Sequence, residues 1–455
     1  MESNFELIVS VLFFVFAVLG VATYARRVRK SSFAEPIYQF LFFYTLFVLP
    51  LPIRACITKQ AEGDVTEHLP QLLPYMPWAV ALCAIGLPFF VWGYYGRSAG
   101  FISHRLPKPR IGKWPRVAFV VLAVLSLLLL ARLASSAGSL LDFVLLGYGG
   151  TSEMSGKGYL AIGFTWLLVA PFFLLYRYSI RRNKWDLLFA IIGTTINLLM
   201  NFIMGRRGMI IYGGLAFVLF WHHAVKAVSF RRLALLGLAA FISMNLVGAI
   251  RGSRFENIAD FWSRTSDSFG QASDNLALYS YTLTTGEFTV PFETLPQMIQ
   301  SVGSSVNPQF GATYLRAPLF YIPSSLYPGR PMALSNWYIK QFYESGVNLN
   351  EGRQFFFLAE GYLNFGALGV LATMFVWGIF LGVCRNYLRA NWRNPGAVLL
   401  YAFTVAYIMQ AIAGDFVTLF VGLPAQILSA VILGLWISRA KLRSVSVKQP
   451  GLSSV

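Results

Sequence analysis

Two adjacent arginines, Arg206 and Arg207, stand between Gly205 and Gly208 in FIMGRRGMIIYGG (202–214), with apolar runs on both sides. Further arginines come later: Arg251 and Arg254 in AIRGSRFEN, Arg264, Arg316, Arg330 in YPGRPM, and Arg353 in NEGRQF. A guanidinium is a planar fork of donors that matches phosphate oxygens. Glycines beside it let the backbone turn tightly and a ligand come close. The chemistry open to such a set is to grip a diphosphate and to hold it more tightly as negative charge grows on it. Glu360, in LAEGYLNFG, is the first candidate for a general base, with Asp267 and Asp274 behind it. The same residue types have a structural reading. Each arginine also suits lipid headgroups or a pair with Asp260, Asp267, Glu256 or Glu344, and Glu360 suits an ion pair with one of the arginines.

The elements that must position these residues are membrane helices. Of the 455 residues, 56% are hydrophobic and 12% are charged, and apolar runs recur along the chain. Windows of about 20 apolar residues predict eleven spans: 5–25, 35–54, 75–95, 117–136, 158–177, 186–204, 208–225, 233–250, 357–383, 397–415 and 417–438. The first run is too long for a signal-peptide core and lacks a small-residue cleavage site, so it reads as a retained span. The net charge of +18 fits basic cytoplasmic loops rather than nucleic acid. Cys56, Cys83 and Cys384 show no metal-type spacing, and His222 with His223 reads as an interfacial anchor.

Alternate loops collect Arg26 to Lys30, Arg97 to Arg116, Arg177 to Lys184, Lys226 to Arg232, Arg385 to Arg393, and the tail. Those loops read as cytoplasmic, which puts the N-terminus outside and the C-terminus inside. The expected organisation is spans 1–8 over 1–250, a large outer loop over 251–356, three spans over 357–438 and a cytoplasmic tail over 439–455. The arginine set then lies on the face where positive charge is not favoured, at headgroup depth. A loop of that length is uncommon without a function. Residues 257–283 carry helical spacing, and Pro291, Pro296, Pro308, Pro318, Pro323, Pro328 and Pro331 cut the rest of the loop into short pieces. A lipid-linked diphosphate carrying sugars accounts for the arginines and for loop aromatics such as Tyr327, Trp337 and Tyr338, whose faces suit sugar rings. The outer loops hold no Asp-x-Asp and no His/Cys cluster, so the site is read without metal or cofactor.

Four stretches carry a family resemblance. PLFYIPSSLYPGRPMALSNWY (318–338) resembles the outer-loop signature of Wzy-type oligosaccharide repeat-unit polymerases, and the enterobacterial common antigen polymerase has a similar segment. IMGRRGMIIYGGLAFVLF (203–220) looks like that family's arginine turn, with Arg207 on the family's arginine. SDNLALY (273–279) and LAEGYLNFGALGV (358–370) are similar to further family patterns, in the same order. The resemblance implies an all-α polytopic membrane protein of the glycosyltransferase class C kind in the inner membrane of a bacterium. It implies transfer of a growing glycan from undecaprenyl diphosphate to an incoming lipid-linked repeat unit of O-antigen or a related polysaccharide, on the periplasmic side. It also implies a chain-length regulator as partner. For that reaction Arg207, Arg251 and Arg330 are the residues assigned to the charge of the leaving diphosphate, with Arg206, Arg254, Arg264 and Arg353 as supports and Glu360 as the first candidate for a base.

Three rivals remain open. An O-antigen ligase shares the donor chemistry but brings an outward His near its arginines, whereas here the outer loops hold only His68. A flippase or transporter calls for charges deep in several spans and for matched halves, and Arg132 is the one clear intramembrane charge. A structural scaffold leaves the arginines unexplained.

Overall fold

The apolar runs fold as helices, and the computed structural model describes residues 2–58, 69–109, 112–135, 139–145, 160–229, 231–233, 235, 237, 257–274, 290–322, 326–343 and 353–438. Among the described residues there is no strand, and an isolated bridge joins Val302 and Val306. Nine helices are long and apolar enough to cross a membrane among the described residues. Six precede the central region: α1 (Phe5–Val28), α2 (Pro36–Cys56), α3 (Leu73–Tyr95), α4 (Pro115–Ala134), α5 (Ile162–Arg181) and α6 (Lys184–Ile203). Next comes α7 (Arg207–Ala224), at the expected span 208–225, where Arg207, His222 and His223 at the ends leave the helix less apolar than the nine. The expected span 233–250 falls largely outside the described residues.

The region after it contains α8 (Ile258–Asp274), α9 (Val290–Ser301), which runs on through Pro296 where the sequence predicts a break, and α10 (Leu334–Phe342), a short helix that follows Pro331. The chain then returns through α11 (Phe357–Asn391), α12 (Pro395–Ala406), α13 (Ile408–Ala413) and α14, the π-helical and α-helical run Thr418–Ile437. Together α12 and α13 form one candidate span jointed at Tyr407. The protein is an all-α polytopic membrane protein.

Contacts between helix termini mark two ends of the bundle. At the basic end two acids are each shared between two arginines. Glu35 meets Arg385 at 3.2 Å and Arg389 at 2.6 Å, and Asp186 meets Arg116 at 2.9 Å and Arg177 at 3.2 Å. Asn183 and Asn394 cap α6 and α12 there, each accepting from backbone N–H groups two residues on. The opposite end, here the loop end, carries the 203–207 turn, α9, α10 and the start of α11.

Glycine sets how closely α3 and α11 approach. A Cβ on Gly93 would come 2.2 Å from the Phe375 carbonyl oxygen, and one on Gly378 would come 2.1 Å from that of Phe90. Small residues at such crossings let backbones touch in lipid, where packing rather than water expulsion holds helices together. The stacked rings of Phe40 and Phe90, 4.0 Å apart, lock α2 to the same pair. This close contact fixes the axis of the body of α11, against which the first turns of that helix pack.

Candidate active site

The arginine turn is built by a glycine. Gly205 has φ of +67°, a left-handed conformation that costs other residues more. The Arg206 N–H donates to the Asn201 carbonyl at 2.9 Å and the Gly205 N–H donates to that of Phe202 at 3.0 Å. That pair of bonds is the Schellman closure of α6. It delivers Arg206 as the residue capping α7 and Arg207 as its first helical residue. The Arg206 guanidinium lies over the Phe164 ring, 4.7 Å from its centre. Gly208 faces Gln410 of α13, and the Gln410 amide reaches Met209 Sδ at 3.8 Å. The turn is therefore seated against α13.

Glu360 lies on the first two turns of α11, and its residue is 1% exposed. Its Oε1 accepts the Thr313 hydroxyl at 2.6 Å, and its Oε2 accepts the Phe416 N–H at 2.5 Å. Among the described residues no cation pairs with it. Asn364, one helical turn on, organises this site. Its amide donates to Thr313 Oγ1 and to the Glu360 carbonyl, both at 2.8 Å, and its Oδ1 accepts the Gly311 N–H at 2.8 Å. The spacing of four places Glu360 and Asn364 on one face. The Gln309 and Phe310 N–H groups donate to the Leu363 and Asn364 carbonyls at 3.0 and 3.2 Å, which ties the loop to the helix. Tyr314 lies edge-on to Phe416, and burial, then the neighbouring Glu360, push its hydroxyl above the usual phenol range.

A break in α11 makes room for this arrangement. Phe365 and Gly366 leave the helix, Gly366 with φ 61° and ψ −147°. In a straight helix residues eight apart lie about 12 Å apart along the axis. Here a Cβ on Gly369 would meet the Gly361 carbonyl oxygen at 1.9 Å. The turns carrying Glu360 are folded back on the body of α11. The remaining stretch, 367–391, is about 37 Å long, enough for the hydrocarbon core.

Asp415, Phe416 and Thr418 complete the junction. Asp415 Oδ1 accepts the Thr418 N–H and hydroxyl at 2.9 and 2.8 Å, so this carboxylate caps α14. One short run, 408–420, thus touches three elements: the arginine turn through Gln410, Glu360 through Phe416, and the loop at Tyr321, whose hydroxyl donates to the Phe420 carbonyl at 2.6 Å. Pro424 has no N–H for the α-helical bond to Phe420, and the chain there is π-helical.

The other sequence-predicted residues are spread over the loop end. Arg330 donates to the Ile322 carbonyl at 3.2 Å and lies over the Phe320 ring, next to the loop stretch anchored on α14. Arg264 pairs with Asp260 at 2.7 Å on α8. Arg353 pairs with buried Glu293 of α9 at 3.3 Å and stacks on Tyr343. Tyr338 and Tyr343 also donate to Glu293 Oε1, and burial, then that carboxylate, raise both hydroxyls above the ordinary range. Tyr338 is buried among Phe342, Tyr343 and Phe355, Trp337 packs on Phe342 and Phe355, and Tyr327 is exposed. Arg251, Arg254, Glu256 and Glu344 lie outside the described residues, as does His68. Among the described residues no three His, Cys, Asp or Glu side chains group as metal ligands.

Sequence reasoning missed Thr313, Asn364, Glu293, Gln410 and Phe416. Asn364 carried a signal, its four-residue spacing from Glu360 inside one motif. The other contacts to Glu360 and Arg353 join residues 47 to 60 positions apart, which no local pattern shows.

The family model for O-antigen polysaccharide polymerase Wzy matches residues 150–440, more than half of the chain and all of the junction around 408–420. No curated protein and no solved structure matches the chain.

Proposed function

The chain belongs to the O-antigen polysaccharide polymerase Wzy family, and we propose that the junction around 408–420 is where it joins repeat units. As a member it is a multi-pass bacterial membrane protein, a glycosyltransferase-type polymerase acting on lipid-linked oligosaccharide repeat units. In finer terms, an acceptor hydroxyl of an undecaprenyl-diphosphate-linked repeat unit attacks the anomeric carbon of the growing glycan on the periplasmic face. The bond from that carbon to the donor's diphosphate breaks, and undecaprenyl diphosphate leaves with the electron pair. The acceptor's proton passes to Glu360.

Charge builds on the departing phosphate oxygen, so fixed cations aimed at it lower the barrier. Arg207 and Arg330 are assigned that role with Arg251, and Arg206 and Arg254 support them. The pairing of Arg264 with Asp260 and of Arg353 with Glu293 supports a positioning role for those two. The bundle carries about eleven spans of a class C glycosyltransferase, with 251–356 as the periplasmic loop, and the reaction uses no metal. A separate chain-length regulator acts with it.

One observation carries the reading: among the described residues Glu360 is enclosed yet held only by neutral donors, beside a segment that also seats the arginine turn. An ionised carboxylate buried for structure alone is normally compensated by a cation. The test is glycan length in a strain lacking the protein, complemented with wild type, Arg207→Ala or Glu360→Gln, with membrane levels checked by blot. Single repeat units at normal protein abundance in both variants support the assignment. An unchanged ladder in both sinks it, and lipid-linked polymer that fails to reach its final acceptor makes the protein a ligase.

A further inference from the structure

The loop stretch between α9 and α10 has an outer surface unlike that of a water-facing loop. Phe310 is 75% exposed, Leu315 81% and Leu326 77%. Tyr321, Ile322, Tyr327 and Met332 are exposed beside them. So many large apolar side chains exposed along one short segment mark an interaction site. The segment is also held in place: 309–311 is hydrogen-bonded to α11, and Tyr321 to the Phe420 carbonyl.

Three features name the partner. First, depth: Gln309 and Phe310 bond to the Leu363 and Asn364 carbonyls, so this stretch lies level with the outer turns of a membrane helix rather than above them. Second, continuity: a Cβ on Gly311 would touch the Phe365 ring at 3.2 Å. Phe365 and Leu368, the latter 76% exposed, lead directly onto the exposed face of α11. Third, charge: no Asp or Glu occurs between Glu293 and Glu344, whereas Arg316, Arg330 and Lys340 do. A basic, acid-free segment with Tyr at its margins suits the anionic headgroup layer, where aromatic and basic side chains anchor proteins.

We infer that residues 310–322 and 326–332 are seated in the bilayer interface, with Phe310, Leu315 and Leu326 in the acyl region and Arg316 at the phosphates. The loop is then a membrane-bound flank of the Glu360 site rather than an aqueous lid. The inference concerns the loop's surroundings and stands whether or not Glu360 is the base.

The test is spin-label accessibility in full-length protein in nanodiscs of phosphatidylethanolamine and phosphatidylglycerol. Cys56, Cys83 and Cys384 are first replaced by alanine. Single labels then go on through Leu315→Cys, Leu326→Cys and, as an aqueous control on the same loop, Ser304→Cys, which is exposed at the turn after α9. Phe310→Cys substitutes for either apolar site if that variant is not monodisperse. The expected result is a ratio of oxygen collisions to nickel-chelate collisions several-fold higher at 315 and 326 than at 304. Nickel-chelate collisions at 315 and 326 equal to those at 304 would overturn the inference, because the loop would be in water. Low collision rates with both reagents would also overturn it, because protein, such as a second copy of the chain, would cover the patch.

Discussion

Glu293 and Glu360 are both enclosed at the loop end, 2% and 1% exposed, yet their surroundings differ in kind. Glu293 sits between an arginine and two phenols, with Arg353 at 3.3 Å and Tyr338 and Tyr343 donating to the same oxygen. It ties α9 to the residues just before α11. Glu360 has the Thr313 hydroxyl and one backbone N–H. A charge that only builds structure is matched by an opposite charge, because taking an ion out of water costs several kcal/mol. A carboxylate left with neutral donors keeps the capacity to take a proton from something that arrives. The contrast separates a joint of the fold from a group held ready for chemistry.

The largest effects should come from neutralising each acid in turn. Glu360→Gln keeps the shape and one acceptor oxygen but loses the charge and the proton affinity. Polymer should disappear and single repeat units accumulate at normal membrane abundance. Glu293→Gln should do the reverse, lowering the amount of protein in the membrane while the surviving molecules still make polymer. If Glu293→Gln abolishes polymer at full abundance, the comparison collapses.

A second experiment dissects the structural partner. Arg353→Gln leaves Glu293 buried without its cation, which costs about 3–5 kcal/mol for pairs of this kind. Thermal unfolding in detergent should show a large loss, and Glu293→Gln added to it should return part of that loss. Additive losses would mean that the two side chains do not act as a pair.

Gly366→Ala comes next. With φ 61° and ψ −147°, Gly366 occupies backbone space that is almost exclusive to glycine. Apart from its own adjoining stretch of chain, nothing lies within 4 Å of its would-be Cβ, so the expected effect is backbone strain, about 1–3 kcal/mol. That strain falls on the fold-back holding Glu360, and shortened glycans should accompany a modest loss of stability. Full-length glycans at wild-type stability would mean the break does not set the position of Glu360.

How much of the fold and the site is legible in the sequence depends on the range of the interaction. Spans such as Pro115–Ala134 and Lys184–Ile203 lie within a few residues of their expected limits, because a bilayer dictates apolar length directly. The turn at Gly205 is legible because glycine between two apolar runs is itself a local signal. The break at Gly366 is not, since nothing in NFGALG separates a glycine used for positive φ from one used for close packing. Glu293 escapes notice inside VPFETLPQM for a related reason. Its partner, Arg353, is 60 positions away, and the arginine reads by its affinity for phosphate without sight of the acid it meets.

The smallest predicted effect gives the finest comparison, because the same change can be made at both acids. Thr313→Val removes the hydroxyl that donates to Glu360 Oε1 and accepts from Asn364, while keeping the side chain's shape. Tyr338→Phe removes the hydroxyl that donates to Glu293 at 3.3 Å. A hydrogen bond to a charged group contributes about 1.5–3 kcal/mol. Glu360 loses the one side-chain donor described for it, and the Asn364 amide loses an acceptor as well. Glu293 keeps Tyr343 and Arg353. Thr313→Val should therefore slow polymerisation severalfold and shift the ladder toward short chains, with Thr313→Ser restoring it, since serine returns the hydroxyl. Tyr338→Phe should leave the ladder unchanged and cost only a little stability. Equal kinetic effects from the two would mean that the hydroxyl at Glu360 is as structural as the one at Glu293.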